Sequence, residues 1–290
     1  MKKLKLGFTD THDHLARFFH SILATRYEIE FDNKSPDFLI FGDTNFGTDN
    51  RKYSKKDVIK IFFTGENQRP EDYDCHYAIS FDHNFESWHY RLPLFVIYMW
   101  AWNHIHKMPY PMTYILNDID LKKKDSFCSF VVSNPNCKLR NDFFTKLNSK
   151  KSVDSGGKLY NNIQAKLDGE QSKIDFLSTR KFNICFESMS HPGYVTEKIL
   201  SAFYAGTVPI YWGSETITSD FNPKSFINVH DFDTLDDVVE YVLKVDSDDE
   251  LYNSYLKAPK FTNNLPPSYL VLDNFLNWFD AVVYNKIMQR

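Results

Sequence analysis

No apolar run in this chain is long enough to cross a bilayer. The longest, Leu92–Trp102, contains Pro93 and is about half the ~20 residues that a transmembrane helix needs. The basic opening Met1-Lys2-Lys3-Leu4-Lys5-Leu6-Gly7-Phe8 passes at once into Thr9, Asp10, His12 and Asp13, so no apolar export segment follows it. The expectation is a cytoplasmic protein without a transmembrane segment, or one peripheral at the inner face of a membrane. Cysteine is scarce as well: the four thiols, Cys75, Cys128, Cys137 and Cys185, form no C-x-x-C pair, and three lie in or beside apolar stretches, which suits reduced, buried thiols. An excess of one charge is also missing. Lys and Arg number 34 against 38 Asp and Glu, for a net charge of −4 with mixed signs throughout, so nucleic acid is not the expected partner.

What is present is an ordinary globular composition, 42% hydrophobic and 25% charged, able to bury a sizeable core. The length, 290 residues, favours two domains at a prior of ~150 residues each. The first half alternates short apolar segments with helical spacing: Lys5–Phe8, a helix over Leu15–Thr25, then strands at Asp37–Phe41, Val58–Thr64 and Tyr77–Phe81. Lys122-Lys123-Lys124-Asp125 is a polar break, after which a second cycle starts with strand Phe127–Val132 and helix Leu139–Leu147. The polar stretch Asn148–Gly157 reads as a loop. Strand Phe182–Phe186 precedes helix Thr196–Ala205, closed by Gly206; strands Val208–Trp212 and Phe226–Val229 follow, then a helix from Leu235 capped by Thr234. This alternation predicts α/β architecture: two Rossmann-like, doubly wound domains facing a cleft. The expected boundaries are 1–121, 122–265 and a C-terminal helical segment, 266–290, that packs back on the lobes.

The most informative segment is Phe182–Phe232, FNICFESMSHPGYVTEKILSAFYAGTVPIYWGSETITSDFNPKSFINVHDF. A strand ends at Phe186 and a helix begins near Thr196, with Glu197 and Lys198 in its first turn. Helix N-termini hold phosphates well, and a lysine there opposes the helix dipole unless an anion sits beside it. A solvated lysine after a Thr-Glu helix start is the plain alternative.

The segment resembles the donor-binding signature of the bacterial α-1,3/4-fucosyltransferases, Helicobacter-type members of glycosyltransferase family 10. The resemblance extends to Val131–Asn141, to Gly156–Asn162, and in the first half to Phe63–Asn67, Tyr77–Asp82 and Tyr90–Pro93. Where the family reads Phe-Glu-Asn-Ser, this chain has Phe186-Glu187-Ser188-Met189, so Ser188 replaces an asparagine.

The resemblance implies a GT-B fold and an inverting transfer of L-fucose from GDP-β-L-fucose to the GlcNAc hydroxyl of an N-acetyllactosamine-type oligosaccharide. The product is Lewis-type, and a surface glycan such as lipopolysaccharide is the natural bacterial target. It implies Glu66 as general base. It assigns Arg140, Glu187, Ser188, Tyr194, Glu197, Lys198, Asn161 and Asn162 to the donor, and Asn67, Trp88 and Arg91 to the acceptor, with residues 82–88 as a variable acceptor loop. With Arg140 and Lys198 to neutralise the leaving diphosphate, no cofactor is required and no metal is expected. Asp118-Ile119-Asp120 has the form of a metal–nucleotide motif but does not follow a nucleotide-binding strand. Asp10, His12, Asp13 and His14 are of ligand type but crowd one short loop, whereas zinc sites usually draw on two elements. Two other readings stay open: a two-lobed transferase for a different nucleotide sugar, and an inactive nucleotide-sugar-binding protein.

Overall fold

The computed structural model describes residues 1–83, 86–106, 124–164 and 166–285. The chain divides into two compact units, residues 1–108 with 267–290, and residues 109–266. The expected boundary at 121/122 falls outside the described residues, as does Asp118–Asp120.

The first unit contains β1 (Lys2–Thr9), α1 (Asp13–Leu23), β2 (Tyr27–Phe31), β3 (Phe38–Phe41), β4 (Ile59–Phe63), β5 (Tyr77–Ser80), β6 (His89–Arg91) and α2 (Leu94–His106). Its strands form one parallel sheet in the order β2-β1-β3-β4-β5-β6. β3 and β4 are buried along their whole length, as parallel strands covered on both faces must be, which is why they read as unbroken apolar runs. In α1, Leu15, Phe18, Phe19, Ile22 and Leu23 fall on one stripe and all are buried.

The second unit contains β7 (Ser126–Phe130), α3 (Lys138–Lys150), β8 (Val153–Ser155), α4 (Gly169–Ser178), β9 (Arg180–Phe186), α5 (Glu197–Tyr204), β10 (Val208–Trp212), β11 (Ile227–Asn228), α6 (Leu235–Ser247) and α7 (Asp249–Lys257). This sheet is also parallel, in the order β11-β10-β9-β7-β8. Counted from its own first strand, it repeats the order of the first unit's sheet. Its core joins Phe127, Phe130, Phe182 and Ile184 of the sheet to Phe143 and Leu147 of α3 and Val238, Val242 and Val245 of α6. Each such side chain, fully buried, contributes about 1.5–3 kcal/mol. Thr234 and Asp237 form the capping box that starts α6, and Gly206 closes α5 with φ +62°.

The stretch 148–157 is not all loop, because Val153–Ser155 pairs with β7 as an edge strand. Its partner on the open side is a side chain: the Asn162 amide accepts from Ser155 N at 2.7 Å and donates to Val153 O at 2.9 Å. The C-terminal segment joins the first unit, with α8 (Leu272–Trp278) running into wider helical turns over Phe279–Tyr284. Phe279 packs on Tyr27 and Phe38, and Trp278 Nε1 donates to Ser87 O.

Candidate active site

In an open parallel sheet, ligands bind beyond the carboxyl ends of the strands where the strand order reverses. In the second unit that point lies between β7 and β9. The residues that follow these strands are those the sequence singles out. Arg140 comes from α3 after β7, Glu187 directly follows β9, and Thr196, Glu197 and Lys198 open α5.

Glu187 is 0% exposed. Thr196 N and Oγ1 donate to its Oε1 at 2.8 and 2.9 Å, Thr196 Oγ1 lies 2.7 Å from Oε2, and Lys198 Nζ is 3.0 Å from Oε2. Lys198 also donates to Thr196 Oγ1 at 2.9 Å and lies 3.7 Å from Glu197, which in turn is 4.0 Å from Lys173. Burial alone would pull the Lys198 ammonium down, but Glu187 and then Glu197 outweigh it and hold the group above its usual range. Burial alone would likewise raise the Glu197 carboxyl; Lys198 and Lys173 instead bring it down to about 2.

The lysine in the first turn of α5 is therefore ion-paired rather than a free surface charge. Its clash with the helix dipole is offset by a buried carboxylate. Thr196 makes no side-chain cap to α5, because its hydroxyl is engaged by Glu187 and Lys198. The sequence assigned Glu187 to donor hydroxyls, but its oxygens are engaged by Thr196 and Lys198. Its place in the geometry is to position the lysine.

Arg140 is 1% exposed and donates to Phe186 O at 3.5 Å and to Asn134 O, which ties α3 to the end of β9. Burial pulls its guanidinium below the usual value. Among the described residues it has no carboxylate within ion-pair distance, and its buried Nε has no hydrogen-bond partner. A buried cation in that state is costly until an anion pairs with it. Lys173 and Lys198 stand with three carboxylates, Glu170, Glu187 and Glu197, so the cation without a carboxylate is Arg140.

The other donor candidates take varied places. Tyr194 is buried, and its carbonyl accepts from Tyr211 Oη at 3.4 Å. Ser188 is half-buried. Asn161 donates to Gly157 O at 3.0 Å, and Asn162 is the edge clamp on β8. Gly157 is glycine because a Cβ would lie 2.1 Å from Val132 O. Sequence reasoning missed Thr196 as the carboxylate's partner and Gly213 beside it, where an added Cβ would meet Glu187 Cγ at 2.5 Å. The VTEK string carried the first signal; nothing local carried the second.

In the first unit, Glu66 is exposed in the loop after β4. Its backbone is pinned by Thr64, whose Oγ1 accepts from Glu66 N at 3.0 Å and lies 3.0 Å from buried Asp43 Oδ2. Gly65 is glycine because a Cβ there would lie 2.5 Å from Leu94 Cδ1. The far end of the loop is held by Arg69, which donates to Asn67 Oδ1 and to Asp82 Oδ1. Asp82 Oδ2 accepts from Ser80 Oγ at 2.6 Å, and Ser80 Oγ lies 2.8 Å from His89 Nε2. The serine proton goes to the carboxylate, so His89 Nε2 carries the hydrogen in that contact.

Asn67 is thus a member of this network. Arg91 ends β6, with its guanidinium 4.5 Å over the Tyr269 ring. Trp88 immediately precedes β6, at the opposite sheet edge from the Glu66 loop, and packs on the Phe41–Phe62–Ala78 cluster. The resemblance assigns it to the acceptor, with residues 82–88 as a variable loop. Asn84 and Phe85 of that loop lie outside the described residues.

Two family models match the chain: "Glycosyltransferase family 10 (fucosyltransferase) C-term" over residues 121–265, and "Alpha-(1,3)-fucosyltransferase FucT N-terminal domain" over residues 5–98. The chain is 36% identical over 249 residues to the Alpha-(1,3)-fucosyltransferase FucT of Helicobacter pylori, covering 76% of this chain and 51% of that protein. It is 32% identical over 151 residues to the mouse 4-galactosyl-N-acetylglucosaminide 3-alpha-L-fucosyltransferase 9, covering 51% of this chain and 41% of that one. The chain spans about half the length, or less, of the curated relatives it matches. Among solved structures, an alpha1,3-fucosyltransferase crystal structure superposes with a TM-score of 0.80 at 30% identity, covering 97% of this chain and 90% of the other. An alpha1,3-fucosyltransferase with GDP-fucose gives 0.75 at 30% identity with the same coverage.

Proposed function

The chain belongs to glycosyltransferase family 10, the fucosyltransferases, and from that premise we propose that it transfers L-fucose from GDP-β-L-fucose to a hydroxyl of an N-acetyllactosamine-type oligosaccharide. The observation that carries this reading is the Glu187–Thr196–Lys198 cluster with Arg140 at the switch point of the second unit, where Arg140 is buried with no carboxylate within ion-pair distance among the described residues. A nucleoside diphosphate supplies an anion for it.

In the proposed reaction the Glu66 carboxylate takes the proton of the acceptor hydroxyl. The hydroxyl oxygen attacks fucose C1 from the face opposite the diphosphate, and the bond between C1 and the phosphate oxygen breaks. One displacement converts the β-linked donor into an α-linked, Lewis-type product. Lys198, held charged by its two carboxylates, and Arg140 receive the charge that develops on the departing diphosphate. Glu197 and Tyr194 contact the donor, and Glu187 acts through Lys198. These fixed cations do the neutralising, so the reaction proceeds without a metal.

A different nucleotide sugar is the second reading, and Ser188 favours it. Among the described residues its hydroxyl has no hydrogen-bond partner, at a position where the family carries an asparagine. The test is transfer from GDP-fucose to N-acetyllactosamine with EDTA present, following GDP release and product mass. A product heavier by one fucosyl unit supports the proposal. GDP binding without transfer from GDP-fucose, but with turnover of another GDP-sugar, would move the reading to the alternative.

A further inference from the structure

We propose that the first unit carries a second saccharide subsite, at the carboxyl ends of β1 and β2, that binds the part of the acceptor glycan remote from the reacting hydroxyl. A cavity of about 410 Å³ opens there, lined by Phe8, Thr9, Thr11, His12, Phe31 and Asn33, among others. Its volume falls in the range of roughly 300–1,000 Å³ usual for small-ligand pockets.

The lining has the two chemistries a pyranose uses. One wall is aromatic: Phe31, last residue of edge strand β2, is 57% exposed and is backed by Phe8 at 6.0 Å and His20 at 5.0 Å between ring centroids. The ring is held in place but leaves surface for the C–H face of a sugar. The rest is polar. Among the described residues, the hydroxyls of Thr9 and Thr11 have no protein hydrogen bond, and the first turn of α1 begins at His12 with no side-chain cap. The loop itself is fixed rather than loose: Asp10, at φ +52°, accepts from Asp49 N and Asn50 N at 2.8 and 2.7 Å.

Position argues for the occupant. The cavity and the Glu66 loop lie at the same, carboxyl-terminal edge of one parallel sheet, and β4 is two strands from β1 and three from β2. At 4.7–4.9 Å per strand the separation is roughly 10–14 Å. That distance is two or three sugar residues along a glycan chain. The subsite therefore selects for acceptor length and rests on the proposed role of Glu66.

The experiment compares kcat/KM for the N-acetyllactosamine disaccharide and a hexasaccharide of three such repeats, with GDP-fucose as donor. The expected result is a preference for the hexasaccharide of up to ~10-fold, the scale of one aromatic contact. Phe31→Ala and Thr11→Val each reduce that preference and leave the disaccharide rate within about twofold. A wild-type enzyme indifferent to length, or a preference that survives both substitutions, overturns the proposal. If neither acceptor is turned over, the transferase reading has failed separately, and calorimetric titration of the hexasaccharide decides the subsite. Binding weakened by Phe31→Ala then supports it; equal or absent binding overturns it.

Discussion

The two units share one strand order but prepare their ligand edges in different ways. The second unit places a cluster of ion-paired charge and the unpaired Arg140 guanidinium at its switch point, with Glu187 wholly enclosed and Lys198 fixed against it. The first unit presents one exposed carboxylate, Glu66, on a loop held by backbone contacts and by the Arg69–Asp82–Ser80 network. The difference follows from what each edge is proposed to meet. A diphosphate arrives with its charge already formed, so cations fixed before binding stabilise it without reorganisation. A general base must reach a neutral hydroxyl, so it stays accessible while its loop is held still.

The comparison breaks most severely at Glu187. Glu187→Ala leaves Lys198 without its closest carboxylate, and removing one partner of a buried pair typically costs about 3–5 kcal/mol. Urea unfolding should show that loss together with weakened GDP binding. Gly213→Ala is the milder version: its Cβ would crowd Glu187 Cγ, an overpacking of about 1–3 kcal/mol, and calorimetry should show weaker GDP affinity.

On the other unit, Asp82→Asn weakens the hold of Arg69 on the Glu66 loop. It should lower kcat about 10-fold through misplacement of the base, leaving KM for GDP-fucose unchanged. A matched rise in that KM would contradict the positioning role. The smallest effect is on acid stability. The folded Glu197 carboxyl lies at about 2, below its ordinary 4.5, so its contribution is present above pH 4.5 and is lost as pH falls toward 2. Glu197→Gln should flatten the acid limb of a stability-versus-pH curve measured by urea titration.

How far all this was legible depends on whether a feature is local in sequence. The buried strands DFLIF, VIKIFFT and FNICF stand out as apolar runs because both faces of their sheets are covered. The start of α5 is legible from Thr196-Glu197-Lys198, and that of α6 from Thr234. β8 was not, because it is three residues with a charged centre, completed by an asparagine side chain seven or more residues away. β6 was missed because it too is only three residues long.

The candidate site divides along the same line. Residue types at Glu66, Arg140 and Lys198 were readable, but their partners were not: Glu187 sits across a loop from Lys198, and Gly213 at the tip of a neighbouring strand. Contacts of that kind are set by the sheet order, and only the folded chain brings them together.

The central claim is that one carboxylate on the first unit does the proton chemistry while the second unit holds the donor. The most direct test measures GDP affinity and fucosyl transfer on the same preparation of Glu66→Gln. The account predicts GDP affinity close to that of the wild type and turnover lower by about 10²–10⁴-fold. Turnover near the wild-type rate would contradict it.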